Sequence, residues 1–178
     1  MTFKDYYTNE VRPKLFTELK LKNIHEVPRI VKIVINVGAG EAATNKKILP
    51  DIEQELKTIT GQKPVITKAR QSISAFKIRK GMPIGVKVTL RGKRMYDFFE
   101  KLTKIVLPRF RDFSGIADTT IDKMGNFNLG VSEQTLFPEI EYDKITKIRG
   151  LQVTVVTNAK SQARGKKLLE SLGVPFKK

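Results

Sequence analysis

Hydrophobic side chains recur at helical spacing in four parts of the chain. Near the N-terminus an apolar or aromatic residue recurs at every fourth position from Phe3 to Leu19. Pro13 within this stretch predicts a kink or a restart of the helix. A second stripe over residues 48–59 stops before Gly61, a residue that suits the end of a helix. Stripes over residues 95–106 and 163–172 predict two more helices.

Other segments carry β-branched residues in continuous or alternating runs and predict strands. The predicted strands cover residues 29–37, 65–69, 73–78, 84–90 and 151–157. Residues 109–150 show no sustained period. Because helices and strands mix without regular alternation, the pattern predicts an α+β fold with a largely antiparallel sheet. The absence of repeats and of linkers rich in Ser or Gly predicts a single domain, residues 1–178.

The charge of the chain is concentrated in one stretch. Lys and Arg number 34 against 18 Asp and Glu, a net charge of +16. Residues 56–96, the basic segment, carry 11 basic side chains and no acidic one. This density predicts a polyanionic partner that neutralises it. An acidic membrane would need a basic amphipathic helix, and a segment that contains Pro64, Pro83 and several glycines does not form one.

Composition excludes several kinds of catalytic site. The chain has no cysteine, and His25 is its only histidine, which excludes disulfides, thiolate metal sites, zinc sites with several histidines and His-dependent triads. Glu139, Glu141 and Asp143 are close in sequence but have no general acid or metal-ligating histidine beside them. We interpret them as a solvated acidic patch or a docking surface for a basic partner. We expect no metal, no cofactor and no enzymatic activity.

The turn at Gly38 and Gly40 superficially matches a dinucleotide-binding fingerprint, because it follows a strand and precedes a helix. That chemistry needs an acidic residue at the end of a second strand about 20 residues further on. The residues at that distance, including Glu53 and Glu55, fall in a predicted helix instead. We therefore interpret the glycines as a chain turn and keep only Asn36 as a possible RNA contact.

The basic segment combines the groups that hold RNA. Its cations can bind phosphates, while neutral donors and acceptors can bind riboses and base edges; these are Gln62, Thr67, Ser72, Ser74 and Thr89. Residues 76–83 end in Gly and Pro and predict an exposed basic loop. Few aromatic residues are present to stack on bases, which favours a folded RNA recognised by shape and backbone.

The same residues carry a resemblance to a known family. The run GQKPVITKARQSISAFKIRKGMPIGVKVTLRGKRMYDFFEKL closely resembles the bacterial-type ribosomal protein L5 family. The runs VPRIVKIVINVGAGEA, RDF within RDFSG, FPEIEYDKI, RG at 149–150 and the C-terminal PFKK resemble it too, so the similarity extends over essentially the whole chain.

The resemblance implies a fold, partners and contact residues. The fold would be an antiparallel sheet with helices packed on one side. The protein would bind 5S rRNA and large-subunit rRNA in the central protuberance of the large subunit. The implied 5S rRNA contacts are Asn36, Gln62, Lys63 and Thr89, with backbone contacts from Thr67, Lys68, Arg70 and Arg91.

Two further contacts are implied by the same resemblance. The loop of residues 72–83, with Lys77, Arg79 and Lys80, would touch the P-site tRNA, and we expect it to be mobile in the free protein. The irregular later region would bridge to a protein of the small-subunit head. The expected location is on ribosomes in the cytoplasm, with an organellar ribosome as the alternative.

Departures from the family pattern cluster in the later region. Ser114 and Ser132 stand where the family commonly has cations, and the run around Met124 lacks the usual arginine. These losses predict weaker contacts from residues 110–135. Two other functions stay open at this point: a nucleotide-dependent enzyme, and a sequence-specific DNA binder, which would need a recognition helix that carries the charge.

Overall fold

The protein contains a five-stranded sheet. The structure is a computed structural model that describes residues 2–43, 45, 47–110, 115–142 and 145–177. The strands are β1 (Ile30–Gly38), β2 (Val65–Lys68), β3 (Pro83–Leu90), β4 (Phe127–Val131) and β5 (Leu151–Thr157), in the spatial order β2-β3-β1-β5-β4. The helices are α1 (Phe3–Tyr6), α2 (Arg12–Glu18), α3 (Ile48–Thr60), α4 (Gly92–Lys101) and α5 (Gln162–Ser171). The α+β prediction is confirmed.

Neighbouring strands run antiparallel. Strand β2 pairs with β3 in a register that sets Val65 opposite Lys87. The amide of Ala39, just after β1, donates to the carbonyl of Ile84 at the start of β3 (2.9 Å). At the other end of β1, the amide of Asn158 donates to the carbonyl of Arg29 (3.2 Å), so the end of β5 lies beside the start of β1. The sheet therefore has the antiparallel arrangement that the sequence predicts.

The N-terminal helix is interrupted where the sequence predicts it. A π-helical turn, Tyr7–Val11, separates α1 from α2, and Pro13 lies in the first turn of α2, where its fixed φ suits a helix start. The apolar residues recur every 4 positions rather than every 3.6, and the wider π turn keeps them on one buried face.

The other helices follow their apolar stripes. Helix α3 ends at Gly61, whose left-handed backbone (φ 65°) caps it as the sequence predicts. Helix α4 begins at Gly92, before its first predicted apolar residue, and continues as a π-helical turn, Leu102–Val106. Short 3₁₀ turns lie at Ile24–Glu26, Gly40–Ala43, Ser74–Phe76, Leu107–Arg109, Asp118–Thr120 and Gln134–Leu136.

Two predicted features are corrected. Residues 73–78 do not form a strand: Ile73 and Ile78 pair with each other in an isolated bridge across a turn that contains Lys77 in the left-handed region (φ 55°). Strand β4 lies within the stretch that shows no period. It is short and contains a glycine, so its alternation covers too few residues to detect in the sequence.

The chain divides into two compact units. Unit 1 comprises Met1–Ile33, Arg91–Leu129 and Thr154–Lys178, and unit 2 comprises Val34–Leu90 and Gly130–Val153. Unit 1 packs α1 against α4, with the rings of Phe3 and Phe99 5.8 Å apart between centroids. In unit 2, α3 packs on β2 and β3. The single-domain organisation of residues 1–178 stays a prediction.

Candidate nucleic-acid interface

One face of the sheet in unit 2 is polar. Along β3, Val86, Val88 and Leu90 are buried, whereas Lys87 is exposed and Thr89 is half-buried. The adjacent strands add exposed Asn36 from β1 and half-buried Thr67 from β2. Because side chains alternate across a strand, these groups share the face opposite the apolar one. We call Asn36, Thr67, Lys87 and Thr89 the polar face.

Gly85 allows neighbouring strands to approach each other closely at the centre of the polar face. It lies opposite Thr67 in the register of β2 and β3. A Cβ at this glycine would come within 2.8 Å of the Thr67 hydroxyl oxygen and 2.9 Å of the Val37 carbonyl oxygen. The absence of a side chain therefore lets the Thr67 side chain approach the backbone of β3 closely, which keeps this part of the polar face low and suits a broad ligand such as an RNA helix.

Gln62 is fixed beside this face. Its Nε2 donates to the carbonyl oxygen of Thr89 (3.0 Å), which attaches the segment after α3 to the end of β3. Its backbone amide also donates to the hydroxyl of Thr60 (3.3 Å), which itself donates to the carbonyl of Leu56 (2.6 Å). The sequence predicts Gln62 only as an RNA-binding group, and the structure adds a stabilising role within the fold.

Exposed cations lie near these neutral groups along the chain. Lys63, Lys68 and Arg70 are exposed in unit 2, and none of them forms a salt bridge with a residue that the structure describes. Arg91 is exposed in unit 1, where it is the N-cap residue of α4. The exposed Lys87 belongs with this set, although the family resemblance does not single it out; its signal in the sequence is its place on the polar side of an alternating strand.

The loop of residues 72–83, here called the finger, is a hydrogen-bonded turn. Ile73 and Ile78 exchange two backbone hydrogen bonds (2.9 and 3.1 Å), and the amide of Lys80 donates to the Ser72 hydroxyl (2.9 Å). The side chains of Lys77, Arg79 and Lys80 are exposed. These bonds give the finger a defined backbone; its mobility in the free protein stays a prediction.

The finger also carries an aromatic side chain that the sequence reasoning does not single out. The ring of Phe76 is 70% exposed, whereas most large apolar side chains in the described ranges are buried. It belongs to no apolar stripe and lies between turn residues and cations, which is the signal that distinguishes it from a core phenylalanine. The finger therefore offers a stacking surface as well as charge.

Comparison with known proteins decides the family. Residues 23–79 match a family model described as "Ribosomal protein L5", and residues 83–176 match the model that describes the C-terminus of the same ribosomal family. The chain belongs to the ribosomal protein L5 family. Its membership confirms the expectation that the chain is a ribosomal protein and not an enzyme.

Individual relatives agree with this family. The chain is 53% identical over 176 residues to the large ribosomal subunit protein uL5 of Trichodesmium erythraeum, covering 99% of this chain and 97% of the relative. The uL5 protein of Desulfosudis oleivorans is 54% identical over 176 residues (99% and 98% covered). That of Mesoplasma florum is 53% identical over 172 residues (97% and 96% covered).

The alternative sites gain no support. After Gly38 the chain forms the 3₁₀ turn Gly40–Ala43, and α3 begins only at Ile48, so α3 does not open directly from the glycine turn onto a pyrophosphate. Glu41 in this turn accepts a hydrogen bond from Lys147, which lowers the pKa of its carboxyl group. Within the described ranges, no three His, Cys, Asp or Glu side chains are grouped so that they could hold a metal ion.

The family departures have different surroundings. Met124 is 59% exposed in a turn that Asp122 closes, since its carboxylate accepts hydrogen bonds from the amides of Met124 (2.9 Å) and Asn126 (2.8 Å). Ser132 is exposed, whereas Ser114 and Asp143 lie outside the described residues. In the described part of the chain, no helix is both long and apolar enough to cross a membrane.

Proposed function

We propose that the chain binds 5S rRNA through the polar face and its neighbouring cations, and contacts the P-site tRNA through the finger. We further propose that residues 109–150 bridge to a protein of the small-subunit head. As a member of the L5 family, the chain is a structural component of the large ribosomal subunit and is bound to ribosomes in the cytoplasm.

The polar face is the observation that carries the 5S rRNA proposal. In unit 2, α3 packs on β2 and β3, whereas Asn36 and Lys87 on the polar face are exposed in the described part of the chain. Asn36 and Thr89 offer neutral groups for ribose hydroxyls and base edges, while Lys63, Lys68 and Arg70 offer charge for phosphates. This combination suits the wide, shallow minor groove of an RNA helix.

The start of α4 supports an anionic partner independently. Lys93 and Arg94 are exposed in its first turn, Arg91 is its N-cap, and the first turn holds no acidic residue. Cations at a helix N-terminus oppose the helix dipole, an interaction of roughly 0.3–1 kcal/mol per charge. An RNA phosphate bound there reverses this repulsion. Lys93 and Arg94 thus place part of the charge of the basic segment on a helix.

The finger supports a contact of another kind. Its three cations and the exposed Phe76 ring lie on a short turn, with no carboxylate within the whole basic segment. Such a tip can reach a phosphate backbone and stack on an exposed base of an RNA surface. The exposed residues Glu139 and Glu141 in the later region suit a basic protein partner for the bridge.

Binding of purified chain to a 5S rRNA transcript tests the proposed function. We expect tight binding to 5S rRNA, weaker binding to an unrelated RNA duplex of equal length, and weaker 5S binding for Asn36→Ala and Thr89→Ala. Thr58→Ala is the matched control, because Thr58 is exposed on α3, away from the polar face. Equal affinity for the two RNAs, or normal binding by both polar-face variants, would overturn the proposal.

A further inference from the structure

Unit 1 contains a second group of cations that the basic segment does not account for. A pocket of about 260 Å³ opens beside the N-terminal helix. Its lining includes the cations Lys4, Arg12 and Arg29 and the aromatic rings of Tyr7 and Tyr96, and it contains no Asp or Glu among the described residues. We call it the cation pocket.

The break in the N-terminal helix contributes to the shape of this pocket. In the π turn Tyr7–Val11, the amide of Arg12 donates to the carbonyl of Tyr7, one residue further back than in an α-helix. The guanidinium of Arg12 then reaches across to the next segment, where its Nη2 donates to the carbonyl of Ile24 (3.4 Å). The π turn thus forms the part of the pocket wall that carries Arg12. Turns of this kind are frequent at functional sites.

The floor of the pocket is rigid. The rings of Tyr7 and Tyr96 are stacked with centroids 6.0 Å apart, both are buried, and the Tyr7 hydroxyl donates to the carbonyl of Pro28 (2.9 Å). Burial raises the pKa of Tyr7 to about 12, while Arg12 and Arg29 act in the opposite direction. Both guanidinium groups are therefore close enough to this phenol to affect it electrostatically.

The positive charge of the pocket is unmatched. Lys4, Arg12 and Arg29 form no salt bridge with any residue in the described ranges. Some other cations of unit 1 are paired with carboxylates, such as Lys104 with Glu100 (2.6 Å) and Lys166 with Asp118 (2.7 Å). Three unpaired cations around one concave site, without a carboxylate in its lining, form a local field that attracts anions.

We propose that the cation pocket binds the phosphate backbone of RNA, as a second contact built from residues outside the RNA-binding surface of unit 2. This inference rests on the proposed function, which makes RNA the polyanion at hand. Two guanidinium groups can each grip phosphate oxygens with paired N–H donors, and Lys4 adds a point charge. The volume is below the roughly 300 Å³ at which small-molecule pockets begin, which favours a backbone phosphate over a whole nucleotide.

The test is the salt dependence of RNA binding by a triple variant, Lys4→Gln, Arg12→Gln and Arg29→Gln. A matched control, Lys123→Gln, Lys167→Gln and Lys177→Gln, removes the same charge from exposed positions of unit 1 outside the pocket. Each protein is titrated with a 5S rRNA transcript and, separately, with large-subunit ribosomal RNA. Because the pocket variant can no longer neutralise three phosphates, its slope of log affinity against log salt becomes shallower by about 2.7.

The two RNA probes separate the sources of the phosphate. If the salt slope of the pocket variant is shallower than that of its control with 5S rRNA, the pocket binds 5S rRNA. If the slopes differ only with large-subunit RNA, the pocket binds large-subunit RNA. Equal slopes for pocket variant and control with both RNAs would overturn the proposal. Arg29→Gln alone, whose side chain makes no hydrogen bond with a described residue, should shift the slope by about 0.9 and guards against misfolding of the triple variant.

Failure of this inference differs from failure of the proposed function. If wild-type protein does not prefer 5S rRNA, the proposed function fails, whatever the pocket variant does. If wild-type protein binds 5S rRNA tightly and the pocket variant matches its control with both RNAs, only the cation pocket is withdrawn.

Discussion

The polar face and the finger lie in the same unit, yet they hold their functional groups in different ways. On the polar face, Thr67 leans over Gly85 and the neighbouring Gln62 is bonded to the backbone at Thr89. On the finger, backbone hydrogen bonds hold the turn, but Lys77, Arg79 and Lys80 project from it into solvent. One region presents short groups at positions set by the sheet, and the other presents long cations on a turn.

The two regions therefore suit different tasks: the polar face suits specific recognition of an RNA surface, and the finger suits attraction of phosphates. Fixing a Lys or Arg side chain costs up to about 2 kcal/mol in rotamer entropy, whereas Thr and Asn have fewer rotamers to lose. Short neutral groups on a sheet can therefore discriminate between RNA surfaces through hydrogen-bond geometry. Long cations attract phosphates from a distance in a manner that salt screens. We expect the polar face to select 5S rRNA and the finger to strengthen a contact that the ribosome has already positioned.

The largest expected effect comes from Gly85→Ala. The new Cβ would press on the Thr67 hydroxyl and the Val37 carbonyl, so the strands must shift at the centre of the polar face. We expect unfolding stability to fall by about 1–3 kcal/mol and 5S rRNA affinity to fall at least tenfold, as measured by thermal unfolding and filter binding. Gly130→Ala is the control, since a Cβ there meets no atom within 4 Å. If Gly85→Ala matched this control, the close approach at the polar face would be wrong.

Replacement of the finger cations should weaken tRNA binding and leave 5S rRNA binding unchanged. Lys77→Ala, Arg79→Ala and Lys80→Ala together remove three exposed charges from the turn. We expect P-site tRNA to dissociate from assembled ribosomes roughly 10–100 times faster, with the largest loss at high salt, while folding and 5S rRNA incorporation stay normal. Equal losses of tRNA retention and 5S rRNA incorporation would show one continuous RNA surface.

Two amide side chains of this region, Asn36 and Gln62, should differ in their effect on stability. Asn36→Ala and Gln62→Ala should each weaken 5S rRNA binding by about 1–3 kcal/mol, with an unchanged salt slope because no cation is lost. Only Gln62→Ala should also lower stability, by about 1 kcal/mol, since it loses the hydrogen bond to Thr89. Thermal unfolding of both variants checks this split, and equal melting temperatures would contradict the structural role of Gln62.

The sequence predicts which residues lie at this interface better than it predicts the hydrogen bonds that hold them in place. Strict alternation in residues 84–90 is sufficient to place Lys87 and Thr89 on one face, because the apolar Val86, Val88 and Leu90 lie at period two on the other. The bond from Gln62 to Thr89 joins residues 27 apart, and such a pairing depends on how α3 ends against β3. Lys77 lies where two predictions overlap, a strand over residues 73–78 and a basic loop over residues 76–83. The left-handed backbone of this one residue decides for the turn, and the β-branched Ile73 and Ile78 conceal it in the sequence.

A further prediction concerns the start of α4, where the expected gain in stability is small. Lys93→Glu and Arg94→Glu replace cations with anions that suit a helix N-terminus, so the free protein should gain up to about 1 kcal/mol in stability per site. The same variants should bind RNA more weakly, because two positive charges are lost and two negative ones are added. Denaturant unfolding and filter binding measure the two changes, and a loss of both stability and affinity would show that these cations support the fold.

Directed cleavage of RNA tests the separation of the two regions most directly. The chain has no cysteine, so Val65→Cys and Phe76→Cys each provide a single attachment point for an iron chelate that generates hydroxyl radicals. Val65 is 60% exposed opposite Lys87, beside the polar face, and Phe76 is 70% exposed on the finger. In ribosomes that hold P-site tRNA, we predict cleavage of 5S rRNA from position 65 and of tRNA from position 76. Cleavage of 5S rRNA from position 76 as strong as that from position 65 would contradict the assignment of separate roles to the polar face and the finger.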